Sequence, residues 1–127
     1  MKTAIPVWEG KISPVFDTAS KLLIIQVENR KEKSRFEAHL DEQNLTRRCS
    51  RIQGLGVEVL ICGAISRPFY RMLVAGGVNV IPWVSGPAED VLDAWMNGKL
   101  FHSRFLMPGC NWQKREKGRR FFKKTMS

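Results

Sequence analysis

The stretch Gly56 to Val84, GVEVLICGAISRPFYRMLVAGGVNVIPWV, decides the fold class. Val57 to Cys62 is almost continuously apolar and β-branched, the composition of a strand covered on both faces. Ser66 to Ala75 reads as a helix, with Ser66 as N-cap and Pro68 in the first turn, where a missing N–H is harmless. Gly76-Gly77 stops it, and Val78 to Val84 supplies a second apolar strand. Strand, helix and strand in so few residues predict two parallel neighbours joined by a crossover.

Working outward, Glu42 to Leu55 places Leu45, Cys49, Ile52 and Leu55 at helical spacing, with Arg47, Arg48 and Arg51 expected on the wet side. Downstream, Gly86 to Asp90 opens a third helix whose acidic first turn suits the helix dipole; it carries Val91, Leu92, Trp95 and Met96 to Gly98. Toward the N-terminus, Ala4 to Trp8 is a short strand in which Pro6 argues for an edge or irregular position. Glu9-Gly10-Lys11 turns the chain, and Ile12 to Ala19 is an ordered loop. Leu22 to Val27 and Arg35 to His39 form an antiparallel pair, separated by the polar segment Glu28 to Ser34. The order β, β, β, α, β, α, β, α predicts an α/β domain built on a mixed five-stranded sheet with helices on both faces.

The 127 residues carry 21 Lys+Arg against 12 Asp+Glu, a net charge of +9. That charge is unevenly placed. Residues 103–127 hold eight cations and one acid, a net of +7, whereas residues 1–102 hold 13 and 11, a net of +2. The expected organisation is one domain over 1–102 and a basic tail over 103–127, whose Lys114 to Lys124 segment with Phe121 and Phe122 suits nucleic acid or another polyanion. No apolar run is long enough to cross a bilayer and no leader pattern opens the chain, so a cytoplasmic location without membrane association is expected. Three cysteines with no repeated spacing argue for free thiols over a disulfide framework.

In a parallel α/β sheet the chemistry gathers at the carboxyl ends of the strands. Cys62-Gly63-Ala64-Ile65 stands there, so a Cys62 thiolate beside the helix amides is a candidate ligand for a soft metal or cluster, against the plainer reading of a small buried hydrophobe. Cys49 falls on an apolar stripe and reads as core. Cys110, in Met107 to Trp112, has no periodicity to bury it, and Lys114 and Arg115 would favour its thiolate; it is the sharpest candidate. His102 and His39 are single imidazoles without paired ligand spacing. Phosphate-binding and nucleophile motifs are missing, and nothing pairs Asp17 with Glu9, so no enzyme activity is expected.

Taken together, GKISPVFDTA at Gly10 to Ala19, the strand Leu22 to Val27, GVEVLICGA at Gly56 to Ala64, GGVNV at Gly76 to Val80 and GPAEDVLDAWMNGKL at Gly86 to Leu100 resemble the dinitrogenase iron-molybdenum cofactor biosynthesis family. This is the small NifX-like domain also found at the C-terminus of NifB proteins, and the resemblance covers residues 1–102. It implies a ribonuclease H-like fold and a non-catalytic carrier or chaperone of an iron-sulfur or molybdenum-containing cluster precursor, working with a protein partner in cofactor assembly. Family members often carry a histidine after the serine of the first loop. Here Ser13-Pro14-Val15-Phe16-Asp17 puts Val15 there, and valine ligates nothing. The expected cofactor contacts are then Cys110 and Cys62 as metal ligands, with His102, Gly63 and Arg67 around them, Lys99 assisting. A nucleic-acid or polyanion module acting through the tail is the alternative.

Overall fold

A computed structural model describes residues 1–100 and Phe105. Six strands and three helices follow one another as β1 (Lys2–Trp8), β2 (Lys11–Ile12), β3 (Lys21–Glu28), β4 (Lys31–His39), α1 (Leu45–Gly54), β5 (Val59–Ile61), α2 (Arg67–Ala75), β6 (Asn79–Ile81) and α3 (Ala88–Met96). The main path of the sheet runs β4-β3-β1-β5-β6, five strands as expected, and the two-residue β2 adds a sixth by pairing with β1. β1 is antiparallel to β3, and β3 to β4, whereas β1, β5 and β6 are mutually parallel. The sheet is therefore mixed. Among the described residues, no helix is long and apolar enough to cross a membrane.

Consecutive strand residues are apolar because both faces are covered. Ala4, Leu22, Ile24, Leu60 and Val80 point into one core with Cys49 and Ile52 of α1 and Phe69 and Leu73 of α2. Their neighbours Ile5, Leu23, Ile25, Val59, Ile61 and Ile81 point into the other, with Val91 and Leu92 of α3. Helices on both faces follow directly from that alternation.

Three local expectations change. Pro6 lies in β1, which is the central strand of the sheet rather than an edge. Met1 and Val27 exchange both backbone bonds, so the alternation of the antiparallel ladder leaves Pro6, opposite Leu22, at a position where no N–H is asked of it toward β3. Most of the polar segment 28–34 is strand: Asn29 and Arg30 both adopt left-handed φ, 53° and 62°, forming a two-residue hairpin from which β4 starts at Lys31. The third change is Arg48. Expected on the wet side of α1, it is only 3% exposed.

Arg48 is buried because something buried needs it. The 3₁₀ turn Phe16–Thr18 directs its carbonyls inward, and Arg48 Nη2 donates to Phe16 O at 2.8 Å and Ala19 O at 2.7 Å, while Nη1 donates to Glu42 O at 3.0 Å. The guanidinium lies 5.8 Å from the ring centroids of both Phe16 and Phe69, which stack on each other at 5.0 Å. Burial lowers its pKa, countered by the Asp17 and Glu42 carboxylates. Replacing Arg48 by Met removes three donors and strands the loop carbonyls. Urea unfolding of Arg48→Met should show a loss of roughly 2–4 kcal/mol, the range for deleting a buried charged hydrogen-bond donor.

Candidate functional site at the carboxyl ends of the parallel strands

The carboxyl ends of β1, β5 and β6 meet four segments of chain that hydrogen bonds knit into one surface. After β2, the loop 13–19 runs alongside the segment 62–66 that follows β5. Val15 bridges Ala64 in parallel, Phe16 N donates to Ala64 O at 2.8 Å, and Ala64 N donates to Pro14 O at 2.8 Å. Asp17 then reaches the start of α2, where its Oδ1 accepts from Ser66 N at 2.8 Å, and Ser66 Oγ caps the helix by accepting from Phe69 N. The segment after β6 closes the other side. Trp83 N donates to Gly63 O at 2.9 Å, Ile12 N to Gly86 O at 3.0 Å, Ala88 N to Gly10 O at 2.9 Å and Ser85 N to Phe105 O at 2.9 Å.

Phe105, which the charge break assigns to the tail, is buried with Leu100 in the α3 core. Trp83 is held at φ 68°, a left-handed conformation uncommon for a bulky side chain and retained where its surroundings dictate it. Between the loops lies an open depression of about 430 Å³ lined by Val7, Trp8, Ser13, Pro14, Val15, Thr18, Ala19 and Ser20. Trp8 and Val15 are 59% and 43% exposed. Such a wall offers an aromatic face, aliphatic surface and three hydroxyls.

The residues expected to act here are not brought together. Cys62 is wholly buried in the α1/α2 core, and burial, reinforced by the Asp17 carboxylate, pushes its thiol far above the ordinary range. It stays a protonated core group out of reach of any ligand. Gly63 is not an open cradle. A Cβ there would stand 2.7 Å from Pro14 O and 2.8 Å from Ser13 O, so its missing side chain makes room for the chain's own loop. The amides at the start of α2 already serve an anion, Asp17. Arg67 is exposed on α2, and Lys99 and His39 are exposed elsewhere; none lines the depression. Cys49 is buried, as its apolar stripe predicts, and its thiol is likewise pushed up by desolvation. Cys110, His102 and the basic segment 114–124 lie outside the described residues. Among the described residues, no group of three or more His, Cys, Asp or Glu side chains converges as a metal site.

The sequence reading missed Arg48, Trp83 and the rim of Trp8 and Val15. Arg48 carried a signal: it stands three residues after Leu45 and four before Ile52, inside the apolar stripe. Trp83 carried none, since a left-handed position ordinarily announces itself by glycine.

A family model described as dinitrogenase iron-molybdenum cofactor matches residues 1–98. Among solved structures, a candidate dinitrogenase from Methanocaldococcus jannaschii superposes with a TM-score of 0.66 at 24% identity, covering 78% of this chain and 90% of its own. A candidate NifB protein from Thermotoga gives 0.62 at 21% identity, with 77% and 89% covered. A further crystal structure gives 0.72 at 22% identity, with 79% and 93% covered. At these identities the structures establish a shared fold. Comparison with curated proteins returns no match.

Two outcomes test this geometry. Gly63→Ala drives a Cβ into backbone, which cannot swing aside as a side chain can; it should lower stability by about 2 kcal/mol in urea unfolding and raise amide exchange across residues 13–19. In the Cys110→Ser variant, an aromatic disulfide reagent should leave Cys49 and Cys62 unmodified until denaturant is added. Rapid native labelling would show that the core opens.

Proposed function

The chain belongs to the dinitrogenase iron-molybdenum cofactor family, and from that premise we propose that it is a non-catalytic carrier of an anionic iron-sulfur or molybdenum-containing cluster precursor. The cluster is cargo, received from one protein and passed to another in cofactor assembly. The observation that supports the reading is the family match over residues 1–98, joined to an open aromatic and hydroxyl rim at the carboxyl ends of the strands. Phe105, buried in the α3 core, accepts from Ser85 N in the segment that follows β6. Cys110 follows five positions later.

Cys110 would hold the cargo as a thiolate, a form favoured by Lys114 and Arg115 nearby in sequence. His102 is the second ligand. The rim's part is to shape and shelter. Trp8 and Val15 keep water from one side of the cluster, and the hydroxyls of Ser13, Thr18 and Ser20 donate to its sulfides. Cys62 and Gly63 leave the ligand set, the first because it is a buried neutral thiol, the second because its open face is filled. Carriage needs no general acid or base.

Anaerobic reconstitution with iron, molybdenum and sulfide tests this. Wild type and Cys62→Ala should take up cluster equally, measured by bound metal and charge-transfer absorption. Cys110→Ser should lose most of it, on the order of tenfold, as expected on removing a principal ligand. No uptake by wild type, or full uptake by Cys110→Ser, overturns the proposal.

A further inference from the structure

We propose that the outer surface of α1 and α2 is a docking face for an acidic protein partner. The two helices, LTRRCSRIQG and RPFYRMLVA, contain five arginines, no lysine and no carboxylate. Arg48 is buried, whereas Arg47 and Arg51 on α1 and Arg67 and Arg71 on α2 are exposed, one turn apart within each helix and opposite the core residues Ile52 and Phe69. The helices lie side by side, with Thr46 Oγ1 against Met72 Sδ and the Gln53 side chain against Gly76. Their arginines thus form one electropositive surface.

The fold does not ask for this arrangement. Arg47 lies in the first turn of α1, where the helix dipole disfavours cations and no acid stands, whereas Arg67 opens α2, whose N-terminal Ser66 amide is taken by the Asp17 carboxylate. Within each helix, like charges one turn apart repel. On the opposite face of the sheet α3 follows the ordinary rule at its start, with Glu89 and Asp90 in its first turn. Arg51, in the last turn of α1, suits the dipole, but Arg47 at the start of that helix and the like charges one turn apart gain when carboxylates arrive from outside.

The composition of the face points to protein over nucleic acid. Arginine without lysine, around an exposed Val74 (46%) that shares the face of Arg67 and Arg71, is the mixture of protein interfaces. Phe69 is buried and Tyr70 half-buried, so neither helix presents an exposed aromatic on which bases would stack. The inference does not depend on what the rim carries.

The test uses the full chain, with fluorescence anisotropy of a short helical peptide bearing glutamates one turn apart around a leucine, and of a single-stranded RNA oligonucleotide, at low and physiological salt. Arg47→Glu should melt above wild type, because a carboxylate now occupies the first turn of α1, and Arg47→Glu/Arg67→Glu should bind the peptide about tenfold more weakly, the scale for reversing two interfacial charges. Arg67→Gln/Arg71→Gln should weaken it in the same direction, whereas Arg119→Gln/Arg120→Gln in the basic tail should leave it unchanged. Peptide binding indifferent to the helix variants overturns the proposal, as does loss of RNA binding alone. Salt-sensitive self-association in light scattering, abolished by the helix variants, would replace it with a second copy seated through its acidic α3.

Discussion

The architecture of the site depends on one buried cation. The carbonyls of Phe16 and Ala19 face the interior, where an unpaired peptide oxygen is costly, and the Arg48 guanidinium is what pairs them. Its planar fork fits these acceptors. One nitrogen spans two carbonyls of the loop, another holds Glu42 O at the approach to α1, and the central carbon lies 5.8 Å from the ring centroids of both Phe16 and Phe69. These contacts fix the loop 13–19 relative to α1 and α2. The charge itself is compensated at the periphery by Asp17 and Glu42, not by a paired carboxylate.

From that lock the remaining geometry follows. With Phe16 pinned, Asp17 falls beside Ser66 and takes the amide that an exogenous anion would otherwise find. With Pro14 and Val15 laid along Ala64, no Cβ fits at Gly63, and the strand end bearing Cys62 is sealed. The carboxyl ends of β5 and β6 are thus occupied by the protein's own loop. What stays open is displaced outward, to the hydroxyl and aromatic rim between Trp8 and Ser20. A general rule about parallel sheets points to this end of the molecule but misplaces its open groups, because the rule knows nothing of a third segment crossing the strand ends.

That difference sets how much the sequence discloses. The crossover Gly56 to Val84 was legible because both its strands are buried on two faces and its helix has a proper cap, signals that are local and redundant. The hairpin turn at Asn29-Arg30 was not, since left-handed φ there is adopted by residues other than the glycine that usually advertises it. Pro6 misled in the opposite sense: its missing N–H excludes it from a ladder position, and ladder phase is a property of pairing, invisible in a single strand. Arg48 stood in the apolar stripe, but assigning an arginine to the core requires knowing that carbonyls elsewhere demand donors. For the site, the family and the exclusion of Cys49 were readable, whereas the sealing of Cys62 and Gly63 depends on contacts between residues some 50 positions apart.

Val15 is where the lock and the carrier reading meet. At the position where the family resemblance implies a histidine, its backbone is committed to the bridge with Ala64 while its side chain stands exposed on the rim. A histidine there would be a ligand on rigid scaffolding, positioned by the same lock that Arg48 provides. In the carrier reading valine leaves the scaffolding intact and offers no ligand, so the rim shapes the cargo without binding it by a bond. In the carrier reading the bond falls to a thiol beyond Phe105, supplied by a different part of the chain from the surface that shelters the cluster. Separating ligand from shelter suits a protein that must give up what it holds. The thiolate can be exchanged for an acceptor's ligand while the preformed rim, tied by its own hydrogen bonds, does not have to rearrange.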